Sequence, residues 1–191
     1  MKTDPCTYVI FGATGNLARI KLIPALYHLD IEARLDDDTK IIAIGRRPWD
    51  NDKWASEVRE MLEAKARGGI DEQVFERFIA RLHYHKGDMQ QAECYDSLAQ
   101  LLADTVTFPQ NMAFYLAINP SDFSHVIEQL SAPKLLDEKL FWRRVIIEKP
   151  FGTDLESSRS LQHKISQYLK EEQIYRIDHY LGKGMVQNVL V

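Results

Sequence analysis

The sequence predicts an α/β protein built on a doubly wound, parallel (Rossmann-type) sheet. Three observations carry this. Its strand-like segments are short and apolar throughout rather than alternating, as strands covered on both faces are. Helical patterns separate them, and a glycine-containing turn of small residues follows the first. In order, Tyr8-Val-Ile-Phe-Gly12 is an apolar run ending in glycine, and Leu17 to Leu29 places apolar residues at helical intervals. Lys40-Ile-Ile-Ala-Ile-Gly45 reads as the second buried strand. Asp50 is placed to cap a helix through Trp54, Val58, Met61 and Leu62, which Gly68-Gly69 would end. A helix over Val74 to Leu82, a third strand over His83 to Lys86 and a helix over Glu93 to Leu102 follow. Met112 to Ile118 is the fourth strand, stopped by Asn119-Pro120 because proline cannot donate to a ladder. Arg144 to Glu148 is the fifth, Asp154 to Leu169 a helix, and Gln173 to Ile177 a sixth strand.

Bulk composition narrows the function classes. A chain of 191 residues, 45% apolar and 27% charged, has the makeup of one globular domain. Its net charge of −4 is spread along the chain, which argues against a nucleic-acid or membrane surface. Cys6 and Cys94 form neither a metal cluster nor a disulfide framework, so free thiols in a reducing compartment are expected and no metal site is. With no signal peptide and no apolar stretch of about 18 residues, the cytoplasm is the expected location.

The end of the chain carries its own expectation. From Tyr180 to Val191 the spacing of Met185, Val186, Val189 and Leu190 is helical, yet the sequence stops on Val-Leu-Val without a cap. We therefore expect a fragment of something longer, with one dinucleotide-binding domain over 1–178 and the start of a further α+β domain over 179–191. A terminal helix that buries its last residues is the plainer alternative.

Candidate site residues begin at Gly12-Ala13-Thr14-Gly15-Asn16-Leu17-Ala18, between the first strand and the first helix. A pyrophosphate there must approach backbone N–H groups and the positive end of the helix dipole, and only small residues allow it. A Gly-x-x-Gly pair alone is a weak motif; its place after the first buried strand makes it informative. At the end of the second strand, NAD sites usually carry Asp or Glu, whereas Gly45-Arg46-Arg47 puts two cations there, suited to a 2′-phosphate. NADP is thus favoured over NAD, with Arg46 as the selecting residue and either arginine able to be an ordinary solvated charge. The acidic loop Asp36-Asp37-Asp38 accounts for the long spacing from Gly12. Asp88-Met89, just past the third strand, is expected beside the adenine end.

Arg176-Ile-Asp-His-Tyr-Leu-Gly-Lys183 resembles the active-site stretch of glucose-6-phosphate dehydrogenases. Ile147-Glu-Lys-Pro-Phe-Gly152, the Gly12 turn with Arg19 and Lys21 behind it, and Met185-Val-Gln-Asn188 are similar to that family in the same order. The resemblance implies oxidation of glucose 6-phosphate to its lactone with reduction of NADP, in the pentose phosphate pathway. It also implies that Arg19 belongs to the cofactor set, and that His179, Tyr180 and Lys183 hold the substrate phosphate. Lys149 would sit between sugar and nicotinamide, contacting both, and Asp178 would orient the catalytic imidazole.

That imidazole has no counterpart here. The family's catalytic histidine lies well beyond the aspartate motif, and His28, His83, His85, His125 and His163 fit no catalytic pattern. His179 follows Asp178 directly, so the two side chains should diverge. Two further departures are Asn16, where the family has aspartate, and Gly184, where it has glutamate and where a mid-helix glycine costs about 1 kcal/mol. A non-catalytic NADP-binding remnant or interaction module is the alternative from another class. A short-chain dehydrogenase is disfavoured, since no tyrosine precedes a lysine by four residues. Homo-oligomers are expected only with the later domain present.

Overall fold

The computed structural model of the chain describes residues 3–65, 69–151 and 155–177. Among them, β1 (Thr7–Phe11), β2 (Lys40–Gly45), β3 (Leu82–Lys86), β4 (Met112–Leu116), β5 (Arg143–Glu148) and β6 (Ile174–Ile177) form one sheet. All pairings are parallel, in the order β3-β2-β1-β4-β5-β6. Every residue of β1 and β4 is buried, because successive side chains enter two different cores. Val9 and Phe11 pack under α4 (Ala92–Leu102), α5 (Phe123–Ser131) and α6 (Leu155–Ile165). Tyr8 and Ile10 pack on the other face, under α1 (Ile23–Ile31), α2 (Asn51–Lys65) and α3 (Glu72–Ile79). Full burial of one such side chain contributes about 1.5–3 kcal/mol, which is why the apolar runs become the central strands.

Local chemistry sets most element ends. Asp50 Oδ1 accepts from Lys53 N–H at 2.8 Å and starts α2, as its position before Trp54 predicts. Asp71 Oδ1 accepts from Gln73 and Val74 N–H groups at 3.0 and 3.1 Å, so α3 begins ahead of the expected Val74. It ends at Ile79 rather than Leu82, because Leu82 pairs with Ile41 as the first residue of β3. Between α2 and α3, Gly69 has φ +85°; Gly68 lies outside the described residues. The first helix is not uniform: Ala18–Leu22 is π-helical, with Ile23 N–H donating to Ala18 O. Pro24, which lacks an N–H, follows at once, and the wide turn accommodates the missing donor.

Three further boundaries differ from expectation. β4 stops at Leu116, after which Ala117 N–H still donates to Phe11 O at 3.0 Å. α6 ends at Ile165, with Tyr168 and Leu169 N–H groups both returning to Ile165 O at 3.0 Å in a closing turn. Gln173 belongs to a 3₁₀ turn, Glu171–Gln173, with its buried amide donating to Leu136 O at 3.0 Å. Helix α5 has no counterpart in the sequence reading, although Phe123, Val126, Ile127 and Leu130 keep helical spacing and are all buried.

A buried ionic brace stands at the start of β2. Arg81, 3% exposed, meets Asp30 at 3.1 Å and donates to the carbonyls of Asp36, Asp37 and Thr39 at 2.5, 2.9 and 3.2 Å. The acidic loop thus carries a cation against its backbone. On the α1 side of the sheet, the β4–β6 half borders a cavity of about 340 Å³ lined by Ile10, Leu26, Trp142, Ile146 and Tyr175, among others. Cys6 and Cys94 are buried and unpaired with each other; burial pushes their thiols up to about 12 and about 11.

Candidate dinucleotide site

β1 and β4 lie side by side, yet the chain leaves β1 toward α1 on one face and β4 toward α5 on the other. A crevice opens where such a parallel sheet reverses its winding, at the carboxyl ends of the strands. The registers Phe11↔Ile44, Gly45↔Lys86, Phe11↔Leu116, Leu116↔Ile147 and Glu148↔Ile177 put the residues that follow each strand along this one edge.

Gly12 turns the chain away from β1 with φ +75°, and a Cβ on it would lie 2.4 Å from Ala117 O. No side chain fits between β1's exit and β4's. Gly15 N–H closes the turn onto Gly12 O at 2.9 Å, and Arg19 N–H donates to Gly15 O at 3.0 Å. A helix leaves its earliest N–H groups without intrahelical partners, so Asn16, Leu17 and Ala18 offer the donors there. Ala13 and Ala18 are fully buried, while Asn16 is exposed and Leu17 packs against the core. Arg19 contributes its backbone to this turn, but its guanidinium goes elsewhere, to Glu57 on α2 at 3.3 Å. Lys53 at 2.9 Å, and then Arg19, hold the Glu57 carboxyl below the usual range.

At the end of β2, a Cβ on Gly45 would lie 2.6 Å from Tyr84 Oη and 3.2 Å from Thr14 Cγ2. The glycine therefore lets the turn and β3 close in on the tip of β2. Tyr84 Oη donates to Arg47 O at 3.1 Å, and the Arg47 guanidinium lies 4.7 Å from the Trp49 ring centroid. Trp49 packs in turn on Trp54 and Tyr84, with centroids 6.2 and 5.6 Å away. Arg46 and Arg47 are both exposed, and Arg47 is tied into the aromatic cluster. Past β3, Gly87 N–H bonds Gly45 O at 3.0 Å. Asp88 Oδ1 accepts from Gln90 N–H at 3.1 Å, and Met89 O lies 2.7 Å from Tyr95 Oη and 3.2 Å from His125 Nε2.

On the other side of the crevice, Lys149 follows β5, and its N–H donates to Ile177 O at 3.3 Å. Tyr115 Oη donates to the Glu148 carboxylate from β4. Burial, and then that bond to Glu148, push the Tyr115 phenol above its ordinary range, so it remains a donor. Asp178, His179, Tyr180, Lys183 and Gly184 lie outside the described residues; the chain enters that stretch from Ile177, beside Glu148. Sequence reading alone treats Tyr84 and Tyr115 as strand filler, because the contacts that matter are across strands. No group of three or more His, Cys, Asp or Glu residues placed for a metal occurs among the described residues, nor any helix long and apolar enough to cross a membrane.

The strand order and the small-residue turn at its reversal define a dinucleotide-binding α/β domain. Residues 9–188 match the family model described as glucose-6-phosphate dehydrogenase, NAD binding domain. The chain belongs to the glucose-6-phosphate dehydrogenase family. It is 43% identical to glucose-6-phosphate 1-dehydrogenase of Chlamydia pneumoniae over 193 residues, covering 97% of this chain and 38% of that protein. The crystal structure of the Mycobacterium avium enzyme superposes with a TM-score of 0.83 at 35% identity, over 93% of this chain and 36% of the other. A glucose-6-phosphate dehydrogenase in complex with its substrate glucose-6-phosphate gives 0.83 at 36% identity, over 98% and 39% of the two chains. The chain thus spans well under half the length of these relatives. Likeness to a short-chain dehydrogenase from Streptomyces avermitilis, at a TM-score of 0.51 and 13% identity, shows the fold alone.

Proposed function

We propose that this chain is the NADP-binding part of an enzyme that oxidises glucose 6-phosphate to 6-phosphoglucono-1,5-lactone. One observation carries the cofactor half: a turn that excludes every side chain at Gly12 opens at the sheet's reversal, with exposed Arg46 just past the end of the adjacent strand. The backbone N–H groups of Asn16, Leu17 and Ala18, presented by the turn from Gly12 to Gly15, would hold the diphosphate, and Arg46 the 2′-phosphate. Asp88 and Met89, two strands from Gly12 and so on the order of 10 Å away, suit the adenosine. NADP supplies the hydride acceptor when bound.

The substrate half rests on the relatives, one of which was solved with glucose 6-phosphate. Lys149 would donate to the C1 oxygen as hydride leaves carbon and the hydroxyl proton passes to a base. His179, Tyr180 and Lys183 would bind the substrate phosphate with two cations and a phenol donor. Asp178 would orient the imidazole that takes the proton. The alternative reading is a module that binds NADP without turnover. Calorimetry with NADP together with an assay of NADPH formation from glucose 6-phosphate separates them. Binding in the micromolar range without turnover selects the module, turnover selects the enzyme, and absence of NADP binding overturns both.

A further inference from the structure

We propose that Tyr115 and Glu148 act together as positioning residues for Lys149, an inference that rests on the role given to Lys149 above. The backbone ladder between β4 and β5 runs only as far as Leu116↔Ile147, whereas the ladder between β5 and β6 reaches Glu148↔Ile177 and continues in the Lys149 N–H···Ile177 O bond at 3.3 Å. At the Glu148-Lys149 step, then, the strand end is held by its backbone on the β6 side and has passed the last ladder pair on the β4 side. The Tyr115 hydroxyl reaches across that gap to the Glu148 carboxylate.

The geometry explains why a tyrosine does this. Tyr115 pairs with Ile146, so Glu148 is its diagonal neighbour on the same face, roughly 7–8 Å away between backbones. A long side chain with a terminal donor spans that distance, and phenylalanine at the same position fills the space without the bond. Tyr115 is only 8% exposed and Glu148 half-buried, and a hydrogen bond to a carboxylate with reduced access to water is stronger than one in bulk water. The carboxylate held from β4 and the N–H held from β6 together fix the direction in which Lys149 leaves the sheet, toward the crevice edge shared with Gly12.

The test is a double-mutant cycle on the 191-residue chain, read by calorimetry with two probes, NADP and 2′,5′-ADP. The second probe carries the adenosine half alone and does not reach Lys149. Expected is that Lys149→Ala and Tyr115→Phe each weaken NADP binding, by up to about tenfold, with 2′,5′-ADP unchanged. Glu148→Gln, which keeps an acceptor for the phenol, should retain much of the affinity that Glu148→Ala loses. In the Lys149→Ala background Tyr115→Phe should add nothing. Additive effects, equal losses for both probes, or a Tyr115→Phe chain that binds like wild type would overturn the positioning role alone. An unchanged NADP affinity in Lys149→Ala would instead overturn the assignment of Lys149, and the positioning role with it.

Discussion

Replacing Gly12 by alanine tests the phosphate turn, and its cost can be worked from the structure with an internal control. Gly12 and Gly69 both hold positive φ, at +75° and +85°, so alanine at either position meets the same backbone penalty of about 1–2 kcal/mol. Their surroundings differ. A Cβ on Gly69 meets nothing within 4 Å, whereas one on Gly12 lies 2.4 Å from Ala117 O and 3.0 Å from Ile118 Cγ2. Ordinary contact requires a shift of about 1 Å in the β4 exit, and overpacking of this kind costs about 1–3 kcal/mol more. Gly12→Ala should therefore lose about 2–5 kcal/mol in urea denaturation, and Gly69→Ala about 1–2. The difference isolates the collision. Because the collision also pushes back on the turn that carries the donors, NADP binding by Gly12→Ala should fall more than tenfold while Gly69→Ala binds normally. Equal stability of the two variants, with unimpaired NADP binding by Gly12→Ala, would refute the geometric argument.

Three other outcomes are expected. Arg46→Ala should weaken NADP binding by about tenfold, less at high salt because the residue is exposed, and leave NAD affinity unaltered; equal losses for both cofactors in calorimetry would remove Arg46 as the selector. Arg81→Met should cost about 1–3 kcal/mol in denaturant unfolding, since three carbonyls lose its guanidinium while Asp30, 1% exposed, keeps Arg77 at 3.1 Å; a change under about 0.5 kcal/mol would show that the loop needs no brace. For Glu57, the folded carboxyl titrates below its ordinary value of 4.5 because Lys53 and then Arg19 bond it. Its stabilisation is therefore complete above that value and is lost as pH falls through the lower, folded one. Glu57→Gln should flatten the acid limb of a stability–pH curve, and an unaltered limb would count against the cluster.

Local features were the readable ones. β1, β2 and β4 stand out because burial on both faces demands unbroken apolar runs, and Asp50 stands out because a cap and its N–H partner are three residues apart. Helix α5 was equally regular, but Pro120 and the following polar residues look like a loop, and a 3₁₀ turn at Pro120–Asp122 is what converts it into a helix start. α3 was misplaced because Leu82 suits either periodicity, and only pairing with Ile41 decides for the strand. At the crevice, the turn at Gly12 could be read from small residues in one segment. The direction of Arg19 could not, because its partner Glu57 lies 38 residues away. Nor could the contrast between Arg46 and Arg47, which depends on Trp49 and on Tyr84 from the next strand.

The brace at Arg81 has a consequence for how the chain tolerates length changes. Its guanidinium grips the last carbonyls before β2, and Ile41 N–H bonds Arg81 O at 2.8 Å, so the strand is clamped at its base by β3's own lead-in. Length changes in the turn at Glu32 to Arg34, ahead of buried Leu35, should therefore stop at that clamp. The tip of β2, and with it the emergence point of Arg46, stays indexed to β3 rather than to the distance travelled from Gly12.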